Sequence, residues 1–183
     1  METEFERVAL DLFIEHGYRN VSIEQIADVA GVSARTFYRY FPAKEDLLGV
    51  LPRRLGRLVC EALLDEPLER SAYDALTSAL LTMLDHVDTD ELARWLTVTM
   101  TPEAPSRRVL TARMQREQGE VEALLARHMS PSPTNARYTL LLFSAAFVAI
   151  GSASREWFEH GGDLVTIAKE TLDVFGRGLS TVD

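Results

Sequence analysis

Apolar residues recur at intervals of three and four along almost the whole of this chain. Near the N-terminus, Phe5, Val8, Ala9, Leu12 and Phe13 occupy positions i, i+3, i+4, i+7 and i+8. This spacing places them on one face of an α-helix, whereas a half-buried β-strand would alternate apolar and polar residues. Because no stretch alternates in that way, the pattern predicts an all-α fold of about nine helices.

The first part of the chain predicts three short helices. Ser22 and Gln25 are spaced as a capping box, in which each side chain bonds the other residue's backbone N–H at a helix start. Gly31 ends this second helix, Ser33 caps a third, and Pro42 stops it. Two helices separated only by "AGVS" predict a helix-turn-helix.

Longer helices are expected after this region. Glu45 and Asp46 are expected in the first turn of the fourth helix, where acidic residues favour the helix dipole, and Pro52 is expected to kink it. We therefore predict a helix-turn-helix domain over 1–47 and a larger helical domain over 48–183. Its later helices are predicted at 71–87, 89–101, 106–129, 133–159 and 163–179.

The distribution of charge indicates where a polyanion would bind. The chain has 28 acidic and 19 basic residues and a net charge of −9, which disfavours indiscriminate binding to nucleic acid. Residues 29–44 nevertheless contain no Asp or Glu, although Arg35, Arg39 and Lys44 lie among them. Carboxylates would repel a phosphate backbone, so this stretch predicts the DNA-facing surface.

The third helix has the size and side chains of a recognition helix. Phe37 is expected inside, whereas Arg35 lies near the N-terminal end, where arginine can pair bidentately with guanine in the major groove. Hydroxyls, lysine and free backbone N–H groups suit phosphate oxygens. The predicted DNA-binding residues are Ser22, Ser33, Ala34, Arg35, Thr36, Tyr38, Arg39, Tyr40 and Lys44.

The stretch "VSIEQIADVAGVSARTFYRYFPAKEDLL" closely resembles the DNA-binding domain of the tetracycline-repressor (TetR) family, over about residues 3–50. The rest is similar only in layout. The resemblance implies a DNA-binding domain over 1–47 and a ligand-binding and dimerisation domain over 48–183. It also implies a homodimer on a pseudo-palindromic operator, released or altered by a small molecule in the larger domain, with the last two helices pairing between subunits. Two departures are the start "METEFER", where many relatives have a basic arm, and Glu24, where some have a DNA-facing cation.

Small residues in the predicted eighth helix suggest a close helix contact. They recur at i, i+4 and i+8, and residues of the ninth helix are expected to pack on them. We interpret this as the dimer seam, and an intrachain core is the alternative, which periodicity cannot separate. The residues assigned to this seam are Ala145, Ala149, Ser152, Ala153, Ile167, Leu172 and Phe175.

Large adaptable side chains suggest an apolar ligand cavity, although ordinary core is the alternative. Arginines 107, 108, 113 and 116 would form a basic rim suited to an acyl-CoA-like effector, as some relatives are thought to bind, or would lie on a solvated surface. The predicted ligand-binding residues are Met83, Trp95, Met100, Met114, Phe143 and Phe147.

Other functions find little support in the sequence. Since it has no nucleophile elbow, phosphate-binding glycine loop or HExxH helix, we predict no enzymatic activity, metal or cofactor. The uncharged stretch between Arg137 and Arg155 is shorter than the roughly 20 residues of a membrane span. A single cysteine, Cys60, and no signal peptide favour the cytoplasm.

We therefore expect a one-component transcriptional repressor whose partners are double-stranded operator DNA, a small-molecule effector and a second copy of itself. The alternative is a small-molecule binding protein whose helix-turn-helix is vestigial or contacts protein. Its support is the excess of acidic over basic residues within residues 1–50.

Overall fold

A computed structural model describes residues 1–105 and 115–180. In these ranges the chain forms nine α-helices and two 3-10 helices and no strand, which confirms the all-α fold. Contacts divide the chain into two compact units. Unit 1 comprises Met1–Arg54 and Asp88–Gln115, and unit 2 comprises Leu55–Val87 and Arg116–Asp183. The domains predicted at 1–47 and 48–183 remain a prediction.

Unit 1 contains the helix-turn-helix and the sixth helix. Its core is aromatic: the ring of Phe5 lies edge-on to those of Phe37 and Phe41, with centroids 5.3 and 5.9 Å away. Val98 is buried in this core and Trp95 packs against it. The α-helices are α1 (Glu2–His16), α2 (Ile23–Val29), α3 (Ala34–Tyr40), the start of α4 (Val50–Asp65) and α6 (Thr89–Thr99).

The expected first turn of the fourth helix is instead a separate 3-10 helix, Lys44–Gly49, so the placement of Glu45 and Asp46 in α4 was wrong. The Asp46 carboxylate accepts the Ala43 N–H at 2.8 Å. Pro52 explains the break. Without an N–H it cannot donate to the Leu48 carbonyl four residues back, so it lies in the first turn of α4, where proline is tolerated.

The Leu48 carbonyl and the Leu51 N–H, two backbone groups at the start of α4, are satisfied from other helices of unit 1. The Leu48 carbonyl accepts the Trp95 indole N–H of α6 at 2.9 Å. The Leu51 N–H, in the first turn of α4, donates to Glu6 Oε1 of α1 at 2.8 Å. Burial raises the pKa of Glu6 to about 7, against the opposing effect of that hydrogen bond. Its Oε2 has no hydrogen-bond partner among the described residues.

Unit 2 is built around the packing of its last two helices on each other and on α5. The Tyr73 hydroxyl of α5 donates to the Leu172 carbonyl at 2.7 Å, and its ring lies where a Cβ on Gly176 would be. Ser71 and Ser132 cap α5 and the eighth helix. The remaining helices are α5 (Ala72–Leu84), α7 (Gln115–Ala126), α8 (Pro133–His160) and α9 (Leu164–Ser180).

The later helices confirm the predicted positions to within about three residues, with the start of the predicted helix 106–129 lying outside the described residues. Within the described ranges, α8 is the one helix whose length and composition would allow it to cross a membrane. Only 28% of its most apolar window is buried inside the chain. Much of its apolar surface is therefore not covered by the other described residues.

Candidate nucleic-acid interface

The start of α2 and the turn between α2 and α3 are fixed by short-range bonds, of which the sequence predicted the capping box. Ser22 Oγ accepts the Gln25 N–H at 3.2 Å and Gln25 Oε1 accepts the Ser22 N–H at 2.7 Å, which confirms the capping box. Gly31 has φ +71°, a conformation that suits glycine. The Val32 N–H then bonds the Ala27 carbonyl at 2.9 Å. Residues 22–32 thus set the angle at which α3 begins.

The α3 helix is anchored by one residue at its start and one on its inner face. Ser33 Oγ accepts the Thr36 N–H at 3.2 Å and lies 3.0 Å from the Thr36 hydroxyl. Phe37 is 0% exposed. With these two positions held, the opposite face of the helix is open. It presents Arg35, Tyr38 and Arg39 as exposed side chains with the half-buried Thr36 beside them, while the half-buried Ala34 and Tyr40 flank the inner face.

The open face of α3 is cationic and aromatic. The Arg39 guanidinium lies over the ring of Tyr40, 5.1 Å from its centroid, and contacts its hydroxyl at 3.3 Å. Tyr40 in turn packs against Phe5 of the core, with ring centroids 5.8 Å apart. Arg35 takes part in no ion pair or side-chain hydrogen bond within the described part of the chain. Its guanidinium donors are therefore available to a base edge or a phosphate.

Lys44 has a different environment from the other predicted DNA contacts. Its ammonium donates to the carbonyls of Tyr18 at 2.7 Å and Val21 at 2.8 Å. It also lies over the ring of Tyr18, 4.4 Å from the centroid. Burial lowers its pKa. These partners could not be predicted from local sequence patterns, because they lie more than twenty residues earlier in the chain.

The predicted ligand-binding residues are not gathered in one unit. Met83 is buried and Phe143 half-buried in unit 2, where Phe147 is 38% exposed. Trp95 and the exposed Met100 belong to unit 1, and the Trp95 indole is already bonded to Leu48. Met114 lies outside the described residues, as do the side chains of arginines 107, 108, 113 and 116.

Most residues assigned to a dimer seam are buried or half-buried within unit 2. Ala149, Ala153 and Leu172 are buried there, Ala145, Ile167 and Phe175 are half-buried, and Ser152 is exposed. Three large apolar side chains that are exposed in unit 2 were not among the residues predicted for this seam. Leu141, Val148 and Val174 are 67%, 55% and 64% exposed. The spacing of seven between the first two could have indicated a second apolar face on α8.

Comparison with known families matches the part of the chain that contains α2 and α3. A profile described as "Bacterial regulatory proteins, tetR family" matches residues 7–51. The HTH-type transcriptional regulator TcmR of Streptomyces glaucescens is 29% identical over 165 residues, which cover 83% of this chain and 70% of that protein. A regulator provisionally named for mycofactocin biosynthesis, MftR of Mycobacterium tuberculosis, is 27% identical over 180 residues, covering 96% and 89%.

Among solved structures, the chain is similar to FadR of Thermus thermophilus, a transcriptional repressor in complex with lauroyl-CoA. The TM-score is 0.55, with 19% sequence identity, over 98% of this chain and 95% of that chain. At this level of identity the similarity extends to the fold.

Proposed function

We propose that this chain, which belongs to the TetR family of bacterial regulatory proteins, is a repressor that binds a pseudo-palindromic operator through α2 and α3. Members of this family are transcriptional regulators and not enzymes. The observation that carries the proposal is the open face of α3, a short helix with capped start and buried inner face whose exposed side chains include two arginines and no carboxylate.

Reading of the operator would rest on Arg35. A helix of this size enters the major groove of B-DNA, and its N-terminal residues come closest to the base edges. Arg35 is the second residue of α3, is exposed, and would donate two hydrogen bonds to one guanine. Tyr38 and the hydroxyls of Ser22 and Ser33 would contact phosphate, which positions the helix without reading sequence.

The dimer would form through α8 and α9. Leu141 and Val148 are two helical turns apart on α8, and Val174 adds an exposed apolar side chain on α9. A soluble protein rarely leaves such a surface in water. Because a two-fold dimer pairs the same patch of both copies, one self-complementary apolar face is enough to cover it. The proposed seam therefore combines these three residues with the half-buried Ala145, Ile167 and Phe175.

The effector would be small and largely apolar, of acyl-CoA type. Support comes from the fold shared with a repressor solved with lauroyl-CoA, and from the run of arginines in residues 107–116. Its binding would shift α4, which begins in unit 1 and ends in unit 2. Half-sites lie about 34–36 Å apart, so a shift of a few Å between the two α3 helices would end simultaneous binding. A cytoplasmic location fits this function.

Selection of random duplex DNA against the purified protein, at two salt concentrations, tests the proposal. We expect an enriched pseudo-palindrome and a steep fall of affinity with salt. Arg35→Ala should weaken binding to that operator by roughly 1–3 kcal/mol and relax specificity at one position of each half-site. Arg7→Ala removes the same charge from an arginine ion-paired on α1 and serves as the matched control.

Failure to enrich any sequence at low salt would reject the DNA-binding proposal and favour the small-molecule binding protein. The effector class is tested separately by adding lauroyl-CoA to the operator complex. Release by lauroyl-CoA, but not by free CoA or laurate at equal concentration, is the expected result. A reporter gene behind the operator then gives the sign of regulation, and activation by the bound protein would contradict a repressor.

A further inference from the structure

We infer that Arg19 is a phosphate contact of the DNA-binding surface and that Lys44 is the positioning residue that fixes the loop carrying it. The inference deepens the proposed function and rests on it. It starts from two facts about neighbouring cations. Lys44, predicted to face DNA, donates to two backbone carbonyls, whereas Arg19, between those carbonyls in sequence, is exposed.

The loop that carries Arg19 is compact. It follows α1 as a 3-10 helix, Tyr18–Asn20, entered through Gly17 at φ +83°. The Asn20 backbone N–H bonds the Gly17 carbonyl at 3.1 Å, and its side-chain amide donates to the His16 carbonyl at 2.9 Å. These bonds hold the loop against the end of α1. They do not fix its other end, which leads into α2.

Lys44 supplies the missing connection. Its ammonium bonds the carbonyls of Tyr18 and Val21, one on each side of Arg19 and Asn20. The Tyr18 side chain, 7% exposed, packs against Phe13 with ring centroids 4.9 Å apart. Hydrogen bonds from a charged donor are about twice as strong as neutral ones. Two of the three ammonium protons are thus committed to holding this loop.

Arg19 is available for an anion. Within residues 1–105 and 115–180 it has no ion pair and no side-chain hydrogen bond, whereas Arg7 on α1 is paired with Glu4 and Asp11. It lies three residues before Ser22, the cap of α2, so the two Cα atoms are at most about 11 Å apart. An exposed guanidinium carried on a fixed loop beside the predicted DNA surface can bind phosphate in a bidentate geometry.

A direct phosphate contact by Lys44 would be costly by comparison. The ammonium is half-buried, and turning it toward solvent would leave the Tyr18 and Val21 carbonyls without their donor. An unsatisfied buried carbonyl costs more than one hydrogen bond returns. The burial that lowers the pKa of Lys44 agrees with a structural position for this cation.

The salt dependence of operator affinity tests the inference, with the full-length protein and its selected operator. Each phosphate neutralised adds about 0.9 to the slope of log K against log salt. We expect Arg19→Ala to lower that slope by about one and to weaken operator and unrelated DNA equally. Arg7→Ala, which removes the same charge, should leave the slope unchanged. Arg19→Lys should restore most of it.

The double variant Arg19→Ala/Lys44→Met separates the two roles. If Lys44 acts through Arg19, the slope equals that of Arg19→Ala alone; a further fall of about one would mean that Lys44 holds its own phosphate. Arg19→Ala changes an exposed side chain, so the test stays decisive even if the double variant does not fold. A slope for Arg19→Ala equal to wild type overturns the inference. If the wild-type protein itself binds no operator, the proposed function is rejected instead.

Discussion

The α2–α3 region and the α8–α9 pair differ in the kinds of side chain that they expose to solvent. In the first, helix starts are capped by Ser22 and Ser33 of the same chain, and most outward side chains are polar or charged, with Val29 as an apolar exception. In the second, Leu141 and Val174 are more than 60% exposed although the helices pack closely on each other. The first region therefore presents a mainly polar surface, whereas the second has large apolar side chains that the described residues leave uncovered.

The largest expected effect comes from charging the uncovered face. Leu141→Glu/Val148→Glu would bury two carboxylates in the proposed seam, at a cost of at least about 3 kcal/mol, or more than a hundredfold in the dimer dissociation constant. Sedimentation equilibrium should show monomers. The helical circular dichroism should be unchanged, because both side chains are exposed within the chain.

Leu68→Glu is the matched control, because Leu68 is 50% exposed in the connection between α4 and α5. It should leave the dimer intact. Dimers of the double variant as stable as wild type would mean that another surface joins the two copies.

In unit 1, Glu6 is a buried carboxylate with one oxygen that has no hydrogen-bond partner among the described residues. Burial raises the pKa of Glu6 from 4.5 to about 7, so the folded protein binds a proton that the unfolded chain releases between these pH values. This group's contribution to stability is then highest below pH 4.5, falls as the pH rises to 7, and is constant above. Glu6→Gln should remove this dependence, worth up to about 3 kcal/mol.

Urea unfolding of wild type and Glu6→Gln at several pH values measures this contribution. The free energy of unfolding of the variant relative to wild type should rise from pH 4.5 to 7 and then level off. The charged neighbours of Glu6 are Glu91, Arg54 and Arg53, of which Arg54 is ion-paired with Glu91. A flat difference across this range would mean that Glu6 is solvated and titrates normally.

The close contact between Tyr73 and Gly176 in unit 2 predicts a smaller effect on the free energy of unfolding. A methyl group on Gly176 would clash with the Tyr73 hydroxyl and displace it from the Leu172 carbonyl. Gly176→Ala should lower the free energy of unfolding by about 1–2 kcal/mol, after the gain in helix propensity is subtracted. Gly178→Ala, where the new methyl would meet no atom of the described residues within 4 Å apart from its chain neighbours and the helix's own backbone, should be neutral or stabilising in the same thermal or urea unfolding experiment.

These contrasts explain what the sequence could predict. The capping box and the Ser33 cap of α3 rest on contacts a few residues apart, which spacing reports directly, and the apolar period predicts that Phe37 faces inward although its partner Phe5 is distant in sequence. The partners of Lys44 and Glu6 are 23 to 45 residues away in the chain, and no local pattern specifies them. The change from a 3-10 helix to α4 before Pro52 is an intermediate case. Proline predicted an interruption of the helix there, but the hydrogen bonds made by Trp95 and Glu6 come from residues that are distant in the chain.

The smallest effect on stability tests whether one residue of α3 serves both folding and DNA binding. Ser33→Ala removes the hydrogen bond to the Thr36 N–H and should cost about 1 kcal/mol in urea unfolding. Ser33→Asp keeps a side-chain acceptor for that N–H and places a negative charge at the helix start, which the dipole favours. Its stability should therefore stay within about 0.5 kcal/mol of wild type.

The two variants should reverse their order when operator affinity is measured. Ser33→Asp adds a carboxylate to the surface that faces phosphate, so it should bind operator more weakly than Ser33→Ala, and most clearly at low salt, where charge repulsion is least screened. Equal operator affinity for both variants would place Ser33 away from the DNA backbone, while a stability loss for Ser33→Ala alone would still confirm its role as the cap of α3.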